Sequence, residues 1–233
     1  MSANALDDTK LRILEAAGRT FAERGFREAT VRDICQAAGS NIASINYHFG
    51  DKERLYIESV KLAHREMLQS MPLPQWPPGV PAAAKLHGFI YTFLCRVLNR
   101  DDNWQRRLML REIAQPSAAC EELAREYIRP QFTVLLGILD ELLPRETPDV
   151  VRHRAAFSIV GQCLHYLIAG PIVRWLVPPD EVAQNVPEQL AAHIWRFSLA
   201  ALGGVSPDGA ALKVPPLPRV AQSTTAAPKG AAS

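Results

Sequence analysis

The stretch TVRDICQAAGSNIASINYHFGDK, residues 30–52, decides how this chain is to be read. Thr30 is followed three residues later by Asp33, the spacing at which two side chains satisfy each other's helix-start amides. Val31, Ile34, Cys35 and Ala38 recur at helical spacing, and Gly39 supplies the stop. Asn41 then opens a second short helix as an N-cap, with Ile45 and Phe49 four apart on the side to be buried. Ile42, Ala43, Ser44, Asn46 and Tyr47 are left for the opposite side. A second helix held inward by two residues, with small and polar ones outward, is what a recognition helix in a major groove requires.

Outward from this stretch the chain keeps a helical period. Ile13, Leu14, Ala17 and Phe21 form the apolar stripe of a first helix over residues 9–24, which Gly25 ends. A fourth helix over residues 51–71 turns Leu55, Ile57 and Val60 inward. Five prolines within residues 72–81 forbid regular helix there and mark a connecting loop. Further helices are expected over residues 85–99, 104–114, 120–143 (kinked or broken at Pro130), 150–168 and 187–202. The run AAFSIVGQCLHYLIAGPIV, residues 155–173, is apolar around most of its circumference and so is expected to be buried on several sides. Five prolines and seven alanines with few aliphatics make residues 205–233 read as a disordered tail. No segment alternates like a strand. The expected fold is all-α: an N-terminal three-helix helix-turn-helix unit (1–52), then a larger C-terminal helical bundle (53–204).

Charge alone does not suggest nucleic acid. The chain carries a formal net charge of only +2, and residues 1–60 hold eight Lys/Arg against nine Asp/Glu. Any positive surface must be local, from Arg27, Arg32 and Lys52 with the helix N-termini. The four cysteines lie far apart, without a CxxC pair, and read as small apolar residues in a reduced compartment. Acids precede any apolar run at the N-terminus, and no apolar run is long enough to span a bilayer. A cytoplasmic protein without membrane contact is expected. No GxSxG, HExxH, Walker or GxGxxG motif is present, so neither catalysis nor a cofactor is expected. His87, His153 and His193 lack metal-ligand spacing.

ILEAAGRTFAERGF (residues 13–26), the segments at 30–38 and 39–49, and residues 52–55 together resemble the TetR-type transcriptional regulators. The shared pattern is a helix, GF, T-x-x-x-I-x-x-x-A-G, a short helix ending Y-H-F, then K-E. REIAQPS (111–117), YIRPQF (127–132) and SIVGQCLHY (158–166) resemble the branch with a CecR-like C-terminal domain. The resemblance implies a DNA reader at the N-terminus, a homodimer built on two C-terminal helices of each chain, and a small-molecule effector held in the C-terminal domain. It places Asn41, Ile42, Ala43, Ser44 and Asn46 at base edges or nearby phosphates of double-stranded DNA, and gives Thr30, Tyr47, His48 and Lys52 to phosphates.

Two departures bear on what is read. The family often has a basic residue where Ile42 stands and a tyrosine where Asn46 stands. Asn46 can instead read adenine bidentately, and Ile42 or Ala43 can touch a thymine methyl, pointing to A/T in the half-site. Tyr47 is expected to be partly packed, with only its hydroxyl functional. For the effector pocket the candidates are Trp104, Leu108, Arg111, Gln162, His165 and Tyr166. Arg111 is either a pocket cation or a salt-bridge partner of Glu112, Glu121 or Glu122. Gln162, His165 and Tyr166 line either a pocket or a dimer seam. Two other readings stay open: a DNA binder controlled by a partner protein, and a helical sensor or carrier that has lost DNA binding.

Overall fold

The computed structural model describes residues 3–98 and 103–203, which form helices and connecting loops with no strand among them. The helix order is α1 (Ala3–Glu28), α2 (Val31–Ala38), α3 (Ile42–Phe49), α4 (Lys52–Ser70), α5 (Ala82–Val97) and α6 (Trp104–Ala114). It continues with α7 (Ala119–Leu123), a π-helical turn (Ala124–Ile128), α8 (Arg129–Leu142), α9 (Asp149–Ile168), α10 (Gly170–Leu176), α11 (Pro179–Ala183) and α12 (Pro187–Ala201). The expected tail lies outside the described residues.

Gly25 does interrupt α1, at φ 79° and ψ 169°, a conformation that a side chain would strain. The break expected at Pro130 takes a softer form. Proline lacks an N–H and its ring crowds the carbonyl four residues back, and the π turn immediately before α8 absorbs both demands without ending the helical path. The short helices α10 and α11 were not expected. Each has a proline in its first turn, where the missing N–H has no intrahelical partner to lose.

Two apolar cores organise the molecule. The first gathers Ile13, Phe21, Ile34, Ile45, Phe49, Leu55 and Val60 from α1–α4, and also Trp104 and Leu108 of α6 and Ala119 and Leu123 of α7. The second joins α5, α8, α9 and α12 around Leu86, Ile90, Leu135, Ile159 and Trp195, with Trp76 of the proline loop packed on it. The packing therefore does not divide at residue 52. The buried apolar residues of α4 all pack in the first core, and α6 and α7 belong with the N-terminal helices.

The apolar run at 155–173 is not buried on several sides. It is two helices, α9 and α10, bent by 76°, and Phe157, Ile168 and Ile172 are exposed. Circumferential apolarity reports the need for cover but not whether the cover comes from the same chain. No single helix is long and apolar enough to cross a membrane among the described residues.

Candidate nucleic-acid interface

The reader is assembled by local capping chemistry. Thr30 Oγ1 accepts from the Asp33 N–H at 3.1 Å and donates to Asp33 Oδ2 at 2.7 Å, while the same oxygen accepts from the Thr30 N–H at 3.1 Å. Arg24 of α1 closes on that carboxylate at 2.9 Å. The Thr30 hydrogen bonds first, and Arg24 with them, hold Asp33 below the usual carboxylate range. Gly39 ends α2 in the left-handed region (φ 57°, ψ 40°), and the Ser40 N–H returns to the Cys35 carbonyl at 2.9 Å. Asn41 then caps α3, its Oδ1 accepting from the Ser44 N–H at 2.8 Å. Gly50 closes α3 at φ 81° and Asp51 caps α4 through the Arg54 N–H at 2.7 Å. Five caps in twenty-two residues fix the angle between α2 and α3 with little help from length.

Helix α3 is held by Ile45 and Phe49, both buried; each is worth about 1.5–3 kcal/mol against exposure. The opposite face is open. Asn41, Ala43 and Asn46 are exposed, Ile42 is 46% exposed and Tyr47 76% exposed, while Ser44 and His48 are half-buried. Tyr47 thus departs from expectation: it is four residues from no buried anchor, and its ring meets only the edge of His48, at 5.1 Å between centroids. The whole ring, not the hydroxyl alone, is presented.

Two phosphate candidates are already engaged within the chain. The Thr30 hydroxyl is consumed by the capping box, so what the start of α2 offers outward is its unbonded amide ends beside Arg32. Lys52 Nζ lies 4.6 Å from the centre of the Phe26 ring and 3.5 Å from the Arg27 carbonyl, pinning the start of α4 to the turn after Gly25. Asn41 keeps its Nδ2 amide for an outside acceptor, because the cap uses only Oδ1.

The six effector candidates are divided. Trp104 and Leu108 are buried in the first core, where the Trp104 ring fills a notch over Gly18 so closely that a Cβ there would lie 2.1 Å from it. Arg111 is neither a pocket cation nor a carboxylate partner. Its Nε donates to the Ala22 carbonyl at 2.8 Å and its Nη2 to the Glu23 carbonyl at 2.7 Å, over the Gly25 break. Glu112 turns inward instead, accepting from the Tyr56 hydroxyl at 2.7 Å and from the Ser117 N–H and hydroxyl at 2.8 and 2.9 Å. Gln162 lines a cleft of about 380 Å³ between α9 and α12, bordered by Val151, Ser158 and Phe197. His165 is exposed and Tyr166 packs half-buried on the second core. Sequence reasoning missed Gly18, and it named Glu112 only as a partner for Arg111 and not for Tyr56 and Ser117. Among the described residues no His/Cys/Asp/Glu group is placed to hold a metal ion.

Comparison with known proteins agrees with this geometry. Residues 13–58 match the family model of bacterial regulatory proteins of the tetR family. Residues 82–202, about half of the chain, match the C-terminal domain of the HTH-type transcriptional dual regulator CecR. The chain belongs to the TetR family, with a CecR-type C-terminal domain. Along 203 residues this TetR-family regulator is 23% identical to CecR of Shigella flexneri, covering 81% of this chain and 90% of that one. It is 46% identical over 50 residues to the repressor AcnR of Corynebacterium efficiens, covering 22% of this chain and 27% of AcnR. The AcnR match therefore spans about a quarter of that protein and concerns the reader alone. Among solved structures, a TetR-like regulator from Rhodococcus sp. RHA1 superposes with a TM-score of 0.59 at 16% identity, over 84% of this chain and 96% of that one. AibR in complex with isovaleryl coenzyme A and operator DNA gives 0.57 at 18%, over 81% and 97%. These two show a shared fold. The relatives named are regulators of transcription, and this chain is a DNA-binding regulator, not an enzyme.

Proposed function

We propose that this regulator is a cytoplasmic homodimeric repressor that sets α3 of each subunit into one half of a palindromic operator and leaves it when a small molecule occupies the C-terminal bundle. The observation that carries the reading is the outward face of α3: Ile42, Ala43, Asn46 and Tyr47 stand free on a helix whose caps and two buried anchors serve only to present it. Asn46 reads adenine, Ile42 and Ala43 meet thymine methyls, and Asn41, Ser44, Tyr47, His48, Lys52 and the start of α2 hold the backbone.

Dimerisation rests on the apolar residues that the second core leaves uncovered. Val151 and Phe157 of α9, Ile172 and Trp175 of α10 and Phe197 of α12 are all exposed, Trp175 by 84%. A face of that size and composition on neighbouring helices suits a second copy of the same chain. Two-fold symmetry then requires half-sites about 34–36 Å apart, or a multiple of that. Repression follows AcnR and KstR2, both named repressors. A small-molecule effector is argued from the fold shared with AibR, solved in complex with isovaleryl coenzyme A and operator DNA.

Selection of bound duplexes from a random pool by the purified protein tests this. An inverted repeat with A/T in the positions facing α3 is the expected product. A single, non-repeated site would sink the dimeric reader, and no enrichment at low salt would sink DNA reading altogether.

A further inference from the structure

Ile42 is the first residue of α3, at the end from which a recognition helix meets base edges. It is 46% exposed, and its β-branched side chain is stiff about χ1. Asn46 stands one turn further along the same row, and Ala43 with the largely exposed Tyr47 forms the row beside it. Helix α3 contains no lysine or arginine, and its one histidine, His48, is half-buried. Neighbouring polar groups are engaged elsewhere. Asn41 Oδ1 accepts from the Ser44 N–H at 2.8 Å, and Lys52 Nζ lies 4.6 Å from the centre of the Phe26 ring. Ile42 therefore meets the groove as carbon, with no cation from its own helix beside it.

In the major groove thymine presents its C5 methyl group beside the O4 acceptor, whereas cytosine presents an N4 amino donor and a bare C5. 5-Methylcytosine keeps the hydrogen-bonding edge of cytosine and adds a methyl group where thymine has one. A side chain with a donor or an acceptor separates the two methylated bases by the group at position 4. An isoleucine side chain has neither. It gains from the methyl group and is indifferent to position 4 and to the purine across the pair. A guanine there keeps its O6 and N7 in water, because reading that edge bidentately takes an arginine or lysine.

We infer that at the base pair facing Ile42 this regulator recognises the pyrimidine C5 methyl group itself, so that 5-methylcytosine replaces thymine there and unmodified cytosine does not. Cytosine methylation then creates half-sites that the unmodified sequence lacks, and operator occupancy responds to the methylation state of the DNA. The inference rests on the placement of α3 in the major groove given above and deepens it. Burial of one methyl group corresponds to about fourfold in affinity for one half-site, and to about 15-fold when both half-sites are changed.

The operator recovered from the random pool is resynthesised with uracil in place of each thymine in turn, a change that deletes one methyl group and leaves every hydrogen-bonding group. Fluorescence anisotropy with the full-length protein should find a position, the same in both half-sites, where uracil weakens binding about fourfold per half-site. With guanine opposite that position, 5-methylcytosine should bind tighter than cytosine by a similar factor. Ile42→Ala, a change at an exposed residue, should bring both ratios close to one. Equal binding of uracil and thymine at every position, equal binding of cytosine and 5-methylcytosine, or parental ratios in Ile42→Ala overturns the assignment. The duplex comparisons need no variant, so the test stands even if Ile42→Ala fails to fold. A protein that enriches an operator yet ignores its methyl groups refutes this inference alone; one that enriches no duplex refutes the regulatory reading.

Discussion

Arg111→Ala removes the two hydrogen bonds that tie α6 to the end of α1, at 2.8 Å to the Ala22 carbonyl and 2.7 Å to the Glu23 carbonyl. A bond from a charged donor contributes about 1.5–3 kcal/mol when fully shielded. Arg111 is exposed, so water replaces part of each bond, and roughly 1–3 kcal/mol for the pair is the expected cost. The loss falls at a sensitive place. The guanidinium sits over Gly25, within 3.2 Å of where a Cβ would stand, at the turn that leads from α1 into the reader. Two readouts are needed on one sample. Urea unfolding should show a lower midpoint at unchanged slope. Fluorescence anisotropy should show reduced discrimination between the selected operator and one with a base pair inserted between half-sites. Arg111→Lys keeps the charge but not the fork that spans two carbonyls, and should fall between. An Arg111→Ala protein within about 0.5 kcal/mol of the parent, the range of ordinary surface changes, and with undiminished spacing preference would refute the strut.

Asn46→Ala should cost on the order of 1–3 kcal/mol at the cognate operator and relax preference at one base position; an unchanged selected sequence would remove adenine reading from Asn46. Phe157→Asp puts a charge on the uncovered face of α9 and should shift the protein to monomer in sedimentation velocity while its helical circular dichroism persists. A dimer as tight as the parent's would place the interface elsewhere. His64 carries a pH signature: burial first, then the neighbouring Arg96, lowers it from 6.5 to about 4. Between those values the unfolded chain takes up a proton that the folded one refuses. Stability should therefore fall on acidification from about pH 6.5 to pH 4, by up to roughly 3 kcal/mol, and level off below. In the thermal melts of His64→Leu that component of the slope should be gone.

The helix-turn-helix was legible because its determinants are local. Thr30 with Asp33, Gly39 and Asn41 each act within four residues, and the structure has each of them capping or stopping a helix as its spacing predicts. What escaped reading lies across long sequence distances or in the backbone. Gly18 looks like one more small residue in an alanine-rich helix, and only the Trp104 ring, eighty-six positions away, gives its missing side chain a purpose. Arg111 was paired on paper with nearby carboxylates, yet its acceptors are peptide carbonyls, which leave no trace in residue identity. Apolar periodicity over residues 155–173 correctly signalled a demand for cover but carries no label for the molecule that provides it. Tyr47 was read as partly packed because aromatic rings usually are; it follows the exposed side of α3 instead.

The seating of Trp104 over Gly18, with Leu108, Ala119 and Leu123 in the same core, has a practical bearing on engineering. Chimeric sensors are built by grafting one regulator's reader onto another's ligand domain, with the junction drawn after the short helices. In this chain such a cut would run through shared packing: a foreign α1 with any residue larger than glycine at position 18 would meet the indole head-on. A working graft must carry α6 and α7 along with residues 1–70, or import the notch with the helix. Interchangeability here is a property of a surface between helices and not of a segment of sequence.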